Sequence, residues 1–131
     1  MSATLVMDLT WEQGGGRETQ VQPPKNVWVQ YFEIDLDEDP GALPTLILHD
    51  KKHPSSGPEH RPVVYHDHNW TVEIADAAMP RPAILRLVRV AYHSYDYWVY
   101  RPGDSEFDHL NWLLDNVPNP HRTHGRRWLP I

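Results

Sequence analysis

The stretch Ile84–Tyr100, ILRLVRVAYHSYDYWVY, decides the fold class of this chain. It is rich in aliphatic, β-branched and aromatic residues, the types that favour a pleated, half-buried strand. Pro80 and Pro82 interrupt the chain just before it. The polar sequence His93-Ser94-Tyr95-Asp96 is typical of a turn, so the stretch predicts two strands joined as a β-hairpin.

Shorter strand patterns precede this hairpin and are separated by loops that hold most of the 13 prolines. In the run that begins at Val27, Phe32 and Ile34 alternate with Glu33 and Asp35, which is typical of a strand with one buried face. Strands are predicted for residues 3–9, 27–36, 45–48, 63–66 and 70–74.

A helix is predicted at about 105–117. Ser105 with Asp108 resembles a capping box, and an apolar stripe follows at helical spacing from Phe107 to Val117. Pro118 then ends the helix, and the apolar residues of the tail 118–131 indicate that it docks on the body.

These elements predict a single β-rich domain over residues 1–131. The expected fold is mostly β, a small barrel or a two-layer β-sandwich with one C-terminal α-helix. The alternative is an α+β fold in which the helix packs on one antiparallel sheet.

Composition excludes several classes of protein. The chain has 131 residues and no cysteine, which excludes a disulfide scaffold and thiolate chemistry. No apolar run approaches the 18 or so residues of a membrane span, and no secretory signal is visible, so we expect a cytoplasmic protein that does not enter membranes. The net charge is −6, and residues 1–50 carry nine acidic but only two basic side chains.

The aromatic run Tyr92–Tyr100 is the strongest functional signal. Because only one face of a strand usually meets the core, part of this run is expected to be exposed, and exposed tyrosine and tryptophan are typical of binding surfaces. The alternative is that the rings are buried on both faces of the sheet, with the helix over one side. The candidate binding residues are Tyr92, Tyr95, Tyr97, Trp98, Tyr100, Arg89 and Arg101.

This run predicts a non-catalytic binding or assembly module that engages a macromolecule through an aromatic face. A protein partner is favoured because the net charge is negative. A nucleic-acid reader is a further alternative, with a basic tail of Arg122, Arg126 and Arg127 and with Arg86, Arg89 and Arg101 beside the rings.

His66, His68 and Glu73 are candidate metal ligands. In an extended strand the two histidines would project from one face, with Cα atoms about 7 Å apart. Imidazole and carboxylate together suit one divalent transition metal such as Zn, Fe, Ni or Mn.

The spacing His-x-His-x4-Glu resembles the first metal motif of the cupins, a small all-β family whose histidines and glutamate bind a metal. The likeness covers eight residues. The glycines that the family places around this motif are absent, since the chain has His60 and Pro80 there. The resemblance implies a metal-dependent enzyme as an alternative function; the other interpretation is a polar hairpin turn at residues 65–69, with no cofactor.

Overall fold

The computed structural model of the chain describes residues 3–10, 19–37, 42–66, 68–78, 80–116, 121–123 and 126–131. Two helices lie in these ranges, α1 (Lys25–Gln30) and α2 (Ser105–Asn116), and short 3-10 turns cover Pro54–Ser56 and Ala75–Ala77. The strands are β1 (Thr4–Leu9), β2 (Gln20–Val21), β3 (Thr45–Asp50), β4 (Glu59–Pro62), β5 (Val64–His66), β6 (Asn69–Glu73), β7 (Ala83–Ala91), β8 (Ser94–Tyr100), β9 (His121–Thr123) and β10 (Arg126–Pro130).

The strands form two sheets. The main sheet has seven strands in the order β4-β3-β8-β7-β1-β10-β9, and the small sheet has three in the order β2-β6-β5. The main sheet is mixed, because β3 runs parallel to β8 while its other neighbours pair antiparallel. The mostly β fold with one main helix is therefore confirmed, and the described strands do not close into a barrel.

The β7–β8 hairpin, which is the stretch quoted first, lies in the middle of the main sheet and is buried on both faces. Tyr95, Tyr97 and Val99 enter a large core shared with the small sheet and α1. Tyr100, with the partly buried Trp98, enters a second core under α2. Each face of the hairpin is thus covered by a different layer of the fold.

The turn of this hairpin lies earlier than the sequence predicts. Strand β7 ends at Ala91 and β8 begins at Ser94, so Tyr92 and His93 form the connection. His93 adopts a left-handed conformation, with φ of 52°, which is uncommon for a residue other than glycine and marks the reversal of the chain. The predicted turn at 93–96 is wrong because residues 94–96 belong to the strand.

The strand predicted for residues 27–36 is also wrong. Its first part is the short helix α1, which follows Pro23 and Pro24; proline favours a helix start because its φ is already fixed. Val27, Trp28, Tyr31 and Phe32 are buried at helical spacing. The alternation holds only after the helix, where Ile34 and Leu36 are buried while Glu33 and Asp35 are exposed, in a segment without strand pairing.

The described part of the tail docks on the main sheet, where β10 pairs with β1. The Arg127 guanidinium donates to both carboxylate oxygens of Asp8, at 2.6 and 2.8 Å, and reaches Asn111 and Asp115 on α2. The hydrogen bonds to Asp8 and Asp115 raise the pKa of Arg127, and the whole set joins the tail, β1 and α2. Residues 117–120 and 124–125 of the predicted helix end and tail lie outside the described residues.

No helix among the described residues is both long and apolar enough to cross a membrane.

Tyr31 offers a test of how α1 is fixed to the main sheet. Its buried hydroxyl donates to the carbonyl oxygen of Ala3 at 2.7 Å and lies 3.3 Å from that of Leu87. We expect Tyr31→Phe to lower the free energy of unfolding by about 1 kcal/mol, because a buried hydrogen bond is lost. Urea denaturation measures this value. Tyr92→Phe is the matched control and should change stability by less than about 0.5 kcal/mol; equal effects of the two variants would contradict the packing described here.

Candidate binding surface

The predicted aromatic face is not an exposed surface in the structure. Tyr95 and Tyr97 are 1% and 0% exposed, and Tyr100 is also buried. Burial raises the pKa of Tyr95 and of Tyr97, and the Tyr97 hydroxyl donates to Glu59. Of the five rings only Tyr92, on the hairpin turn, is fully accessible, with 83% of its surface exposed. A partner therefore cannot contact the run as one face.

The arginines expected to flank this face are engaged within the fold. Arg101 donates to the carbonyl oxygens of Asp76 at 2.7 Å and Ala78 at 2.8 Å. Arg89 donates to the carbonyl oxygen of Tyr31 and lies over its ring. These contacts fix the loop before β7 and the end of α1. Arg86 covers the Trp98 ring, with its guanidinium carbon 4.5 Å from the ring centroid.

The basic tail is described in part. Arg127 is held by Asp8 and by α2, as given above. The side chains of Arg122 and Arg126 lie outside the described part of the structure. Arg86, Arg89, Arg101 and Arg127 are therefore engaged within the fold and do not form a free cationic patch.

The predicted ligands His66, His68 and Glu73 do not converge. Strand β5 ends at His66, and His68 lies in the turn with φ of 64°, so the two histidines are not in one extended strand. His66 is paired with Asn69, and Glu73 lies four residues further along β6. At strand spacing the Cα atoms of Asn69 and Glu73 are about 13 Å apart, so the side chains of His66 and Glu73 lie at opposite ends of the strand pair. The cupin-like arrangement is therefore not formed, and β5 and β6 pair as a hairpin at this point.

The β5–β6 hairpin instead carries an exposed aromatic cluster. Tyr65 and Trp70 are directly paired across the two strands, with ring centroids 4.9 Å apart. The Tyr65 hydroxyl is 3.2 Å from His68 Nδ1, and the Lys25 ammonium lies 5.5 Å from the centre of the Trp70 ring. We call Lys25, Tyr65, His68 and Trp70 the hairpin cluster.

The core holds the hairpin cluster in place. The indole nitrogen of Trp28, a fully buried side chain of α1, donates to the carbonyl oxygen of Trp70 at 3.3 Å. Trp70 itself packs against the large core, while Tyr65 and all the other residues of β5 are exposed. The exposed side of the hairpin is thus connected to the core through Trp70.

Two grooves adjoin the hairpin cluster. The sheet groove, of about 610 Å³, covers part of the small sheet and is lined mainly by polar side chains that include Gln20, Arg61 and His66. The helix groove, of about 580 Å³, lies between α1 and the hairpin turn and includes Val29 and Trp70. Gln22 and Asn69 line both grooves, so the two form one continuous surface.

Sequence reasoning missed this surface because it treated residues 65–69 as a polar turn. One signal was present: Tyr65 and Trp70 stand immediately outside the four residues that close the hairpin. In a tight hairpin such positions face each other across the strands, so two aromatic residues there predict a ring pair.

Comparison with known proteins identifies a similar fold but assigns no family. No protein-family model matches the chain, and no curated protein sequence matches it. The fold is similar to that of a solved structure, the N-terminal domain of Helicobacter pylori LlaJI.R1, with a TM-score of 0.67. The similarity covers 96% of this chain and 95% of that chain at 12% sequence identity, so it is a likeness of fold.

Alanine substitutions distinguish the buried rings from the exposed ones. We expect Tyr95→Ala to lower the free energy of unfolding by about 3 to 5 kcal/mol, because it leaves a cavity in the large core. Tyr65→Ala and Tyr92→Ala should each cost less than about 1 kcal/mol, because both rings are solvent-accessible. Guanidinium unfolding followed by circular dichroism gives all three values. If Tyr95→Ala were no more destabilising than Tyr92→Ala, the aromatic run would not be core.

Proposed function

We propose that this protein is a non-catalytic binding module that engages a protein partner through the hairpin cluster and its two grooves. The observation that carries the proposal is the continuity of this surface: two grooves of similar size meet beside a ring pair formed by the exposed Tyr65 and the partly buried Trp70. Aromatic rings on a rigid support are typical anchors of protein interfaces, because they offer a large contact area at a small cost in entropy.

The chemistry of the surface favours an extended segment of a partner protein. Val29 and Val64 are about half exposed, and they place apolar area beside the rings. Strand β5 is an edge of the small sheet, and an edge strand offers backbone hydrogen bonds to an added strand. Gln22 and Asn69 supply polar groups where the two grooves meet.

The charged side chains along the grooves indicate which peptides this surface could bind. Lys25 and Arg61 line the grooves, and Glu73 is the one acidic residue among the described lining residues. With two basic side chains and one acidic side chain along the grooves, this surface suits a neutral or acidic peptide. Location in the cytoplasm stays a prediction from the sequence.

A nucleic acid is the second candidate ligand, favoured by the polar lining of the sheet groove. Amide side chains and arginine hydrogen-bond to base edges, and an adjacent tyrosine offers a stacking platform. Gln20, Gln22, Asn69 and Arg61 supply these groups in the sheet groove, and Tyr65 also lines it. The engagement of Arg89, Arg101 and Arg127 within the fold makes this candidate weaker than a protein partner.

Selection from a random peptide library tests the proposal. Peptides selected on the wild-type protein should bind Tyr65→Ala at least about tenfold more weakly, because an aromatic anchor contributes more than about 1.4 kcal/mol. Tyr92→Ala removes an exposed tyrosine at the β7–β8 turn and is the matched control; it should bind like the wild type. Fluorescence anisotropy with labelled peptides measures the affinities.

Two results would contradict this function. One is the absence of selectable peptides, and the other is equal binding by Tyr65→Ala and the wild type. Anisotropy with single- and double-stranded oligonucleotides distinguishes the second candidate, since phosphate contacts make binding fall steeply as salt rises. Salt-sensitive binding that Tyr65→Ala abolishes would replace the protein partner with a nucleic acid.

A further inference from the structure

A second group of polar side chains lies away from the hairpin cluster, near the end of β6 that is remote from the turn. Asp50 is the last residue of β3, His53 follows three residues later, and Asp76 lies in the 3-10 turn between β6 and β7. One donor atom from each converges: the three atoms lie within 4.8 Å of one another. Among the described residues this is the one set of three or more such side chains whose donor atoms meet this closely.

In each carboxylate, one oxygen interacts with backbone N–H groups or with an arginine, and the other oxygen faces the His53 imidazole. Asp50 Oδ1 accepts from the backbone N–H groups of Lys52 at 3.0 Å and His53 at 3.1 Å, which leaves Oδ2 at 2.8 Å from His53 Nδ1. Asp76 Oδ1 lies 3.5 Å from the Arg101 guanidinium. Asp76 Oδ2 lies 3.9 Å from His53 Nδ1.

Asp76 Oδ2 is the unusual atom of this group. It is buried, and within the described part of the chain it has no hydrogen-bond partner. A carboxylate oxygen that water does not reach and that accepts no hydrogen bond is unfavourable, although the Asp76 side chain as a whole is 18% exposed. The fold nevertheless holds it towards the same point as Asp50 Oδ2 and His53 Nδ1.

We propose that Asp50, His53 and Asp76 bind one divalent transition metal ion of the Zn²⁺ type. One imidazole nitrogen and two carboxylate oxygens are suitable donors for such an ion. Tetrahedral coordination at about 2.0 to 2.2 Å separates donors by about 3.4 Å, so the three atoms need shift by only about an ångström. The ion would replace the hydrogen bond between His53 and Asp50 and would give Asp76 Oδ2 a partner.

The surroundings fit an open site. Side-chain exposure is 5% for Asp50 but 58% for His53, so solvent reaches the ion from the histidine side. Three protein ligands leave a coordination position for water. Two carboxylates balance the charge of the ion, and Arg101 orients Asp76 from the other side. The Lys52 ammonium is held by the Val99 carbonyl oxygen and Asp104.

This site is independent of the proposed peptide surface. It would connect the loop after β3 to the turn that leads into β7, whereas the hairpin cluster lies at the other end of β6. Metal binding and peptide binding can therefore fail separately.

Titration of the tag-free protein with Co²⁺, followed by displacement with Zn²⁺, tests the proposal. Co²⁺ bound by nitrogen and oxygen donors gives visible absorption bands that report on coordination. We expect one saturable site in the wild type, and affinity at least about tenfold lower in His53→Ala and in the isosteric Asp76→Asn. The controls are His109→Ala, an exposed histidine on α2, and His66→Ala; both should bind Co²⁺ like the wild type.

The thermal midpoint supplies a second readout, because a ligand that binds the folded state stabilises it. Zn²⁺ should raise the midpoint of the wild type and of His109→Ala but not that of His53→Ala. Either of two results would overturn the site: no saturable Co²⁺ binding to the wild type, or binding that persists unchanged in both His53→Ala and Asp76→Asn. Loss of binding in His66→Ala alone would assign the metal to the hairpin instead.

Discussion

The two-sided burial of the β7–β8 hairpin is the constraint on which the rest of the structure depends. Tyr95 and Tyr97 fill one face of the central strands while Tyr100 and Trp98 fill the other. A sheet that is apolar on both faces needs a layer on each side. The small sheet with α1 supplies one layer, and α2 supplies the other.

The same constraint decides where a partner can bind. The rings that the sequence suggests as a binding face are buried in the two cores. Arg101 and Arg127 fix the neighbouring loop and the tail. One side of the small sheet packs against the large core, and the sheet groove is open to solvent. Exposed aromatic area and grooves therefore occur together at the β5–β6 hairpin.

Much of the fold could be predicted from local patterns, because strands and helices have distinct periods. The hairpin within 84–100 and the helix near 105–117 are present, at Ala83–Tyr100 and Ser105–Asn116. The strand predicted at 27–36 was wrong because the β-branched and aromatic composition of the run favours a strand, whereas the buried residues Val27, Trp28, Tyr31 and Phe32 have helical spacing. Tertiary packing, which a short window does not contain, decides between them.

The candidate sites were less predictable, for a physical reason. His66 and His68 are near in sequence, but the chain reverses direction between them. Their side chains therefore do not project from one face of a single strand. Asp50, His53 and Asp76 come from two segments that only the fold brings together. A site that depends on long-range contacts has no local sequence pattern. The Tyr65–Trp70 pair depends on a single hairpin, so its sequence spacing could have predicted it.

Nitration of the six tyrosines by tetranitromethane, mapped by mass spectrometry, tests most directly the claim that the hairpin cluster is the binding surface and the aromatic run is core. We expect Tyr65 and Tyr92 to react in the free protein, and Tyr31, Tyr95, Tyr97 and Tyr100 to be protected. A bound peptide should then protect Tyr65 and leave Tyr92 reactive. Nitration of Tyr95 and Tyr97 as fast as Tyr92 in the folded protein, or protection of Tyr92 in place of Tyr65, would contradict the account.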